Sequence, residues 1–550
     1  MAFLDKLPLL RLVRQRFPFV LPGLHEIRLS YLPPLMVYLA AGISGLTAIV
    51  GTFFVKEYLG LSAEFLAALG FWALLPWSMK MPIGHLVDLA WRYKGWLVVF
   101  SALLITASLF IMIGLLSGHQ GMLHWMSMES WYVLSVLLAP TGYVIQDTVA
   151  DAMTVEAIPL RDDAGQMLDE ATLQRQHTRM QSLGRLAIIG GTTLVALVNV
   201  FMFHGVEALA SAEKARLYLR LYEYALIIPL VSVLGVVLAG WLAMRQRRHW
   251  AMLGIQNAAH DGDHVAPVMN LWVLLGGLAF LLYSIVMGLL DLPWSAEAVF
   301  AGSMVIILWI MHQLTRALRP AQRRELLATA LVIFVFRAMP GPGAGSSWWM
   351  IDTLGFDQSF MARLSLLGSL LGMAGIFLFR HYMQSRSILQ VYVMLTLTGT
   401  LLSLPNLGLY YGMHEWTAAH TGGLVDARVI ALADTALESP LGQVAMIPML
   451  SWIARSAPVA LKATYFAVMT AFTNMALSLA QLGTQYLNHV FVIRREVRDA
   501  VDGHITQAAD YSQLGGLLWA TILIGFCLPL LAAALAAWVL RRHGDAMAEG

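Results

Sequence analysis

Fourteen hydrophobic stretches long enough to cross a bilayer fill this chain, and only a handful of charges remain inside them. A helix needs about 20 apolar residues to span the hydrocarbon. The stretches are 33–55, 63–82, 96–116, 131–153, 180–203, 221–243, 270–290, 296–317, 326–350, 360–379, 388–409, 428–450, 462–490 and 514–540. Of the 550 residues, 59% are hydrophobic and 12% charged, against roughly a quarter charged in a soluble domain. The chain is therefore expected to be an all-α polytopic membrane protein with about 14 transmembrane helices. The long runs at 326–350 and 462–490 are expected to tilt or break.

Orientation follows from the Lys/Arg bias of the connecting segments. Most of the 35 Lys and Arg fall in 6–28, 92–94, 161–179, 245–248, 316–324, 380–386, 455–462 and 541–542, which places both termini in the cytoplasm. The clearest exception is Arg494-Arg495-Glu496-Val497-Arg498, on an outer loop that also carries Asp499, Asp502 and Asp510. The connectors divide the chain into a basic cytoplasmic N-terminal segment (1–30), an N-terminal six-helix bundle (31–244), connectors with an inserted two-helix hairpin (245–325), a C-terminal six-helix bundle (326–543) and a cytoplasmic tail (544–550). The first 30 residues have basic groups but no apolar core followed by a small-residue cleavage site, so a multi-pass protein of the inner or plasma membrane is expected. The single cysteine, Cys527, excludes an internal disulfide or a cysteine metal cluster and reads as a small buried hydrophobe. No metal or cofactor is expected. A net charge of +2 gives no reason to expect nucleic acid, and a monomer is expected.

An ionisable group in hydrocarbon is costly unless paired or wetted, so those inside the spans are functional candidates. Arg337, Asp434 and Glu438 lie mid-span. Arg337 stays charged and needs an anion nearby. Two acids facing one Arg leave one carboxylate over, which can titrate, so these three form an expected central site for substrate or proton; a structural ion pair is the other reading. Trp72, Trp77, Phe334 and Phe336 supply aromatic surface nearby. Nearer the inner end, Asp147 and Asp151 share one helix face at i and i+4, as do Asp434 and Glu438. The two pairs stand at different depths: Asp151 is eight residues before Pro159 and Glu438 twenty before Pro458, about 18 Å apart along the membrane normal. Lys80, Arg185, Asp147 and Asp151 read as an inner gate or structural network. Gly84-x-x-x-Asp88 followed by Arg92 and Lys94 adds an acid with nearby bases where an inner gate can latch.

After Arg337 comes Met339-Pro340-Gly341-Pro342-Gly343-Ala344-Gly345, which cannot be a regular helix. Irregular backbone inside a membrane needs protein or a watery cavity around it, so Pro340, Gly341, Pro342, Gly343 and Gly345 mark a cavity wall or hinge. Trp348 and Trp349 follow, either to stack on a flat ring or to form an interfacial aromatic belt. Pro76-Trp77 and Pro140-Thr141-Gly142 loosen two further spans. The His residues at 249, 260 and 264 lie in a polar connector and read as a solvated linker. No P-loop is present, and no nucleophile–base pair or metal triad is visible within the spans, so neither an ATP-driven pump nor an enzyme is expected.

Several blocks resemble the folate–biopterin transporter family of the major facilitator superfamily. In the first half these are Gly42-Ile43-Ser44-Gly45-Leu46, Phe53-Phe54-Val55-Lys56, Leu75-Pro76-Trp77-Ser78-Met79-Lys80-Met81-Pro82 with Gly84 and Asp88, and Asp147…Ala150-Asp151-Ala152…Val155-Glu156. In the second they are Pro340, Leu354-Gly355-Phe356, Phe360…Arg363-Leu364…Gly368-Ser369, Asp434, Leu441-Gly442-Gln443-Val444-Ala445 with Pro448, and Ala463-Thr464…Phe466-Ala467 with Asn474. The resemblance covers about 33–490 without the insert; the helix pair 270–317 and the Gly/Pro run lie outside the family pattern. It implies two six-helix bundles rocking about a central site, and carriage of folates or pterins, often with protons. A carboxylate can bind the 2-amino-4-oxo edge of a pterin, and an Arg can clamp folate carboxylates. The expectation is thus a secondary active transporter of a folate- or pterin-like organic anion in the lipid bilayer, working by alternating access and coupled to protons by symport. Two alternatives stay open at this point. Muropeptide permeases also carry a Gln-Asp-x-x-x-Asp run in the fourth span, and some major facilitator relatives act as membrane assembly factors without transport.

Overall fold

The computed structural model describes residues 29–58, 61–90, 93–118, 120–158, 169–209, 211–252, 271–290, 294–316, 318–379, 386–442, 462–498 and 505–548, with Leu292, Tyr382, Val444, Met446, Pro448, Met449 and Trp452 described singly. The N-terminal segment through 28, the connector at 253–270 and the basic loop at 161–168 fall outside the described residues, as does Arg92.

The first half begins with α1 (Leu32–Ile43), which passes through a 3-10 turn at Ser44–Thr47 into α2 (Ala48–Tyr58). The second span is α3 (Ala63–Ser78) and α4 (Lys80–Leu89). Ser62 caps α3 by accepting from the Phe65 N–H at 3.0 Å. Pro76 ends α3 within a turn, so Lys80 begins a fresh helix at the break. There follow α5 (Lys94–Leu116), α6 (Met128–Glu156), α7 (Glu170–Met202), α8 (Ser211–Ala225) and α9 (Ile227–Met252). The inserted hairpin is α10 (Leu271–Leu289) and α11 (Ser295–Thr315).

The second half starts with α12 (Pro320–Arg337) and, after the Gly/Pro run, α13 (Ala344–Asp352). It continues with α14 (Gln358–Leu378), α15 (Ile388–Tyr410), α16 (Ala427–Glu438), α17 (Lys462–Val490) and α18 (Leu514–Ala548). A two-stranded antiparallel hairpin, β1 (Val497–Arg498) with β2 (Ile505–Gln507), projects between α17 and α18. Among the described residues nine helical stretches are long and apolar enough to cross a bilayer. Of the other expected spans, 63–82 and 326–350 are broken, as α3–α4 and α12–α13, and 462–490 is richer in polar residues, as α17. Of the two long runs, 326–350 breaks, whereas 462–490 is one continuous helix.

Small residues set the closest approach inside the first half. A Cβ on Gly42 of α1 would lie 2.3 Å from the Ile188 carbonyl oxygen of α7, and one on Gly191 would lie 2.8 Å from Gly42 Cα. In a membrane, helices gain their adhesion from such close backbone contact. The halves meet along two seams, α3 against α17 and α7 against α14. These pair the second helix of one half with the fifth of the other, as a pseudo-two-fold arrangement requires. The inserted hairpin covers the first seam: α10 packs on α4, and α11 on α17 and α3.

The start of α1 and the end of α18 share one end of the bundle, here termed the terminal face. The opposite end, where α2 finishes and α18 begins, is the distal face.

Candidate functional site

Two clusters of charge stand out, and a third, buried basic group was visible in the sequence only as an anomaly. The first cluster lies toward the terminal face. Lys80 Nζ sits 2.6 Å from Asp147 Oδ2 and 2.6 Å from Asp151 Oδ2. The Tyr38 hydroxyl donates to Asp151 Oδ1 at 2.5 Å. The i, i+4 spacing on α6 turns both acids toward one neighbour, and the restart of α4 after Pro76 delivers Lys80 to that face. Gly184 of α7 packs against Tyr38. Arg185, one residue on, is exposed and makes no ion pair with either acid among the described residues. Lys94 pairs with Glu156. The side chain of Asp88, like Arg92, lies outside the described residues. Every described contact in this network joins helices of the first half: α1, α4, α5 and α6. These described contacts tie helices of one bundle to each other; a latch between halves would need a partner in the second, and the Asp88 side chain and Arg92 lie outside the described residues. The two aligned acids gave the pairing away in sequence; Tyr38 carried no signal beyond being a polar ring in an apolar span.

The second cluster lies in the second half. Arg337 closes α12 and is half-buried. Its Nε donates to the Thr473 carbonyl at 3.1 Å, and Nη1 lies 4.0 Å from Met449 Sδ. Both partners are neutral. Asp434 on α16 is buried, and its Oδ2 accepts from Asn406 Nδ2 at 3.2 Å. Asp434 Oδ1 has no partner among the described residues. Glu438 stands one turn further on and is exposed.

The structure does not bring Arg337 to the two acids. Phe336 packs edge-on against Tyr392, at 4.7 Å between ring centroids, whereas Asp434 is held at Asn406. Tyr392 and Asn406 are fourteen residues apart on α15, about 21 Å along its axis. Counting inward from Pro458 treats span twelve as one helix. In fact α16 stops at Glu438 and a 3-10 turn, Ser439–Leu441, follows, so span twelve is not one α-helix; Pro458 lies outside the described residues.

The aromatic candidates are spread across the seams. Trp77 presents its carbonyl to Asn474 Nδ2 at 3.1 Å, across the α3–α17 seam. Trp72 meets Phe71 edge-on at 5.4 Å, and Phe334 packs on Phe472 at 4.8 Å. Trp348 and Trp349 are both buried, so neither belongs to an interfacial belt. Trp349 packs on Tyr410 and Trp348 is covered by the Arg495 guanidinium.

The Gly/Pro run is extended backbone sustained by α17. The Gly341 N–H donates to Thr484 Oγ1 at 3.0 Å, and Asn488 Nδ2 donates to the Pro342 carbonyl at 3.4 Å. Gly343 takes φ 72°, open to glycine at little cost, and launches α13. Gly345 serves packing: a Cβ there would lie 2.8 Å from Ile493 Cγ2.

At the distal face, contacts cross between halves. Lys56 pairs with Asp352, and His489 Nδ1 lies 3.1 Å from Glu64 Oε1. Lys56–Asp352 is the cross-half Lys–carboxylate pair among the described residues, and the His489–Glu64 contact is a second link across the same face. The Tyr511 hydroxyl donates to Asp352 Oδ2 at 2.5 Å. Burial, and then that hydrogen bond, hold the Tyr511 phenol well above its ordinary value, so it remains a donor.

Two six-helix bundles joined along paired seams, with charged groups held inside the spans, define a multi-pass membrane transporter of the major facilitator architecture. Residues 41–549 match the BT1 family, and the chain belongs to it. A curated relative, the "Folate-biopterin transporter" of Synechocystis sp. (strain ATCC 27184 / PCC 6803 / Kazusa), is 22% identical over 485 residues, covering 86% of this chain and 77% of that protein. Among solved structures, the fold is similar to a peptide transporter POT in complex with sulfate, with TM-score 0.57, 15% identity, and coverage of 93% of this chain and 95% of that one. It is also similar to the nucleoside transporter NupG, with TM-score 0.53, 12% identity, and coverage of 92% and 99%. The chain is a transporter rather than an enzyme.

Proposed function

We propose that this protein is a secondary active transporter that moves a folate- or pterin-like organic anion by alternating access, coupled to protons. The observation that carries the reading is Arg337: a half-buried guanidinium whose described partners are a carbonyl and a thioether. A permanent cation so placed calls for an anion, and a substrate carboxylate satisfies it bidentately. Family membership and the folate–biopterin relative support the substrate class. The spacing of the charged groups suits it as well. A folate carries carboxylates at one end and a hydrogen-bonding pterin at the other, and Arg337 and the Asp434–Glu438 pair stand at separate depths.

In this reading Arg337 clamps the carboxylates. Asp434 and Glu438 receive the pterin edge and the coupling proton, which Asp434 Oδ1 is free to accept among the described residues. The Lys80–Asp147–Asp151 network keeps the first bundle rigid as it rocks, and the run Pro340–Gly345 is the hinge and cavity wall of the second. The protein works as a monomer in the cell membrane with both termini cytoplasmic.

Combining Asp434→Asn with Glu438→Gln tests the coupling role. In proteoliposomes, uptake by the double variant is expected to lose its response to an inward proton gradient, and substrate exchange at equal pH is expected to weaken with the lost pterin contacts but to remain measurable. A gradient response equal to that of the parent protein removes the acids from the coupling role.

A further inference from the structure

The clearest exception to the Lys/Arg bias contains the most deeply buried arginine of the described residues, Arg495 at 4% exposure. It sits on the stem of the distal hairpin, anchored to the second half. Arg494 forms a backbone bridge with Asp510 at 3.0 and 2.8 Å. Ile493 fills the space that Gly345 of α13 leaves open. Yet the Arg495 side chain reaches into the first half, where Nη1 donates to the carbonyls of Val55 and Lys56. These are two of the last four carbonyls of α2, which have no partner within their own helix and lie at the negative end of its dipole. The face of the guanidinium rests over Trp348 of α13, 5.6 Å from the ring centroid. The Lys56–Asp352 pair and the Tyr511 hydrogen bond surround it.

We propose that Arg495 is a clasp: it caps the end of α2 in the first half from a hairpin fixed to the second, and so holds the distal face shut. A buried guanidinium stripped of these acceptors must return to water, so withdrawal of Arg495 and parting of the halves are one event. The clasp biases the equilibrium between the two access states by its contacts in one of them alone. It uses none of Arg337, Asp434 and Glu438 and does not depend on what is carried.

The test uses the full chain in lipid vesicles without substrate. Cys527→Ser removes the exposed native cysteine. Glu64→Cys and His489→Cys then place one thiol on each side of the distal seam, where the native side chains meet. A short bifunctional thiosulfonate should crosslink this pair in high yield. Arg495→Ala is expected to lower the yield several-fold, Arg495→Lys less, because an ammonium lacks the fork that serves two carbonyls. Arg494→Ala, on the exposed neighbour, should leave the yield unchanged. An undiminished yield in Arg495→Ala, or an equal fall in Arg494→Ala, overturns the clasp. Should Arg495→Ala fail to insert, Arg495→Lys decides by the same readout: a yield below that of the parent pair supports the clasp, and no change refutes it.

Discussion

Lys80→Ala is expected to destabilise the protein by about 3 kcal/mol, the lower end of what breaking a buried ion pair costs. The lower end applies because Asp151 keeps 43% of its side chain exposed, while Lys80 and Asp147 keep 18% and 16%. The cost arises from what is left behind. Without Lys80, Asp147 loses the only ion-pair partner it has among the described residues, and Asp151 keeps only the Tyr38 hydroxyl. Two like charges then share one helix face with nothing between them. Adding Asp147→Asn and Asp151→Asn to Lys80→Ala should recover most of the loss, since neutral amides carry no such repulsion. Thermal unfolding in detergent micelles, followed by the intrinsic tryptophan signal, measures both. A loss below about 1 kcal/mol in the single variant, within the range of exposed pairs, would show that the network does not tie the bundle together.

Arg337→Ala is expected to act on transport instead. A hydrogen bond to a charged group contributes about 1.5–3 kcal/mol, and each 1.4 kcal/mol is tenfold in affinity. The KM for an anionic substrate should therefore rise by about ten- to a hundred-fold. Stability should change little, because the guanidinium gives up a carbonyl and a thioether contact and, among the described residues, no ion pair. Arg337→Lys should rescue only part of the loss, since an ammonium cannot grip a carboxylate with two parallel bonds. The ratio of KM values for a folate and for a bare pterin makes the role specific. A clamp on carboxylates predicts a larger penalty for the folate; equal penalties would place Arg337 elsewhere in the mechanism.

The fold was legible because a bilayer leaves few choices. Apolar length picked out the nine helices that are long and apolar enough to cross a bilayer among the described residues, and Pro76 and the Pro340–Gly345 run announced the breaks at Met79 and Ala338. The pairing of Asp147 and Asp151 with a base followed from their spacing on one face. Depth in the second half did not: Pro440 carries the same breaking signal as Pro76, but span twelve read as one continuous helix. The acids were therefore expected beside Arg337. Tyr38 and Asn406, which hold Asp151 and Asp434, are ordinary polar residues until the helices pack. Arg495 shows the opposite case. Its charge stood out against the Lys/Arg bias, but the reason lies 439 positions away, at the end of α2.

Uptake of radiolabelled folate and pterin into tight proteoliposomes holding the purified protein, with and without an inward proton gradient, tests the central claim most directly. Saturable accumulation of at least one of them, raised by the gradient and absent from empty vesicles, is the expected result. Accumulation of neither above empty vesicles, by protein that inserts correctly, would contradict it.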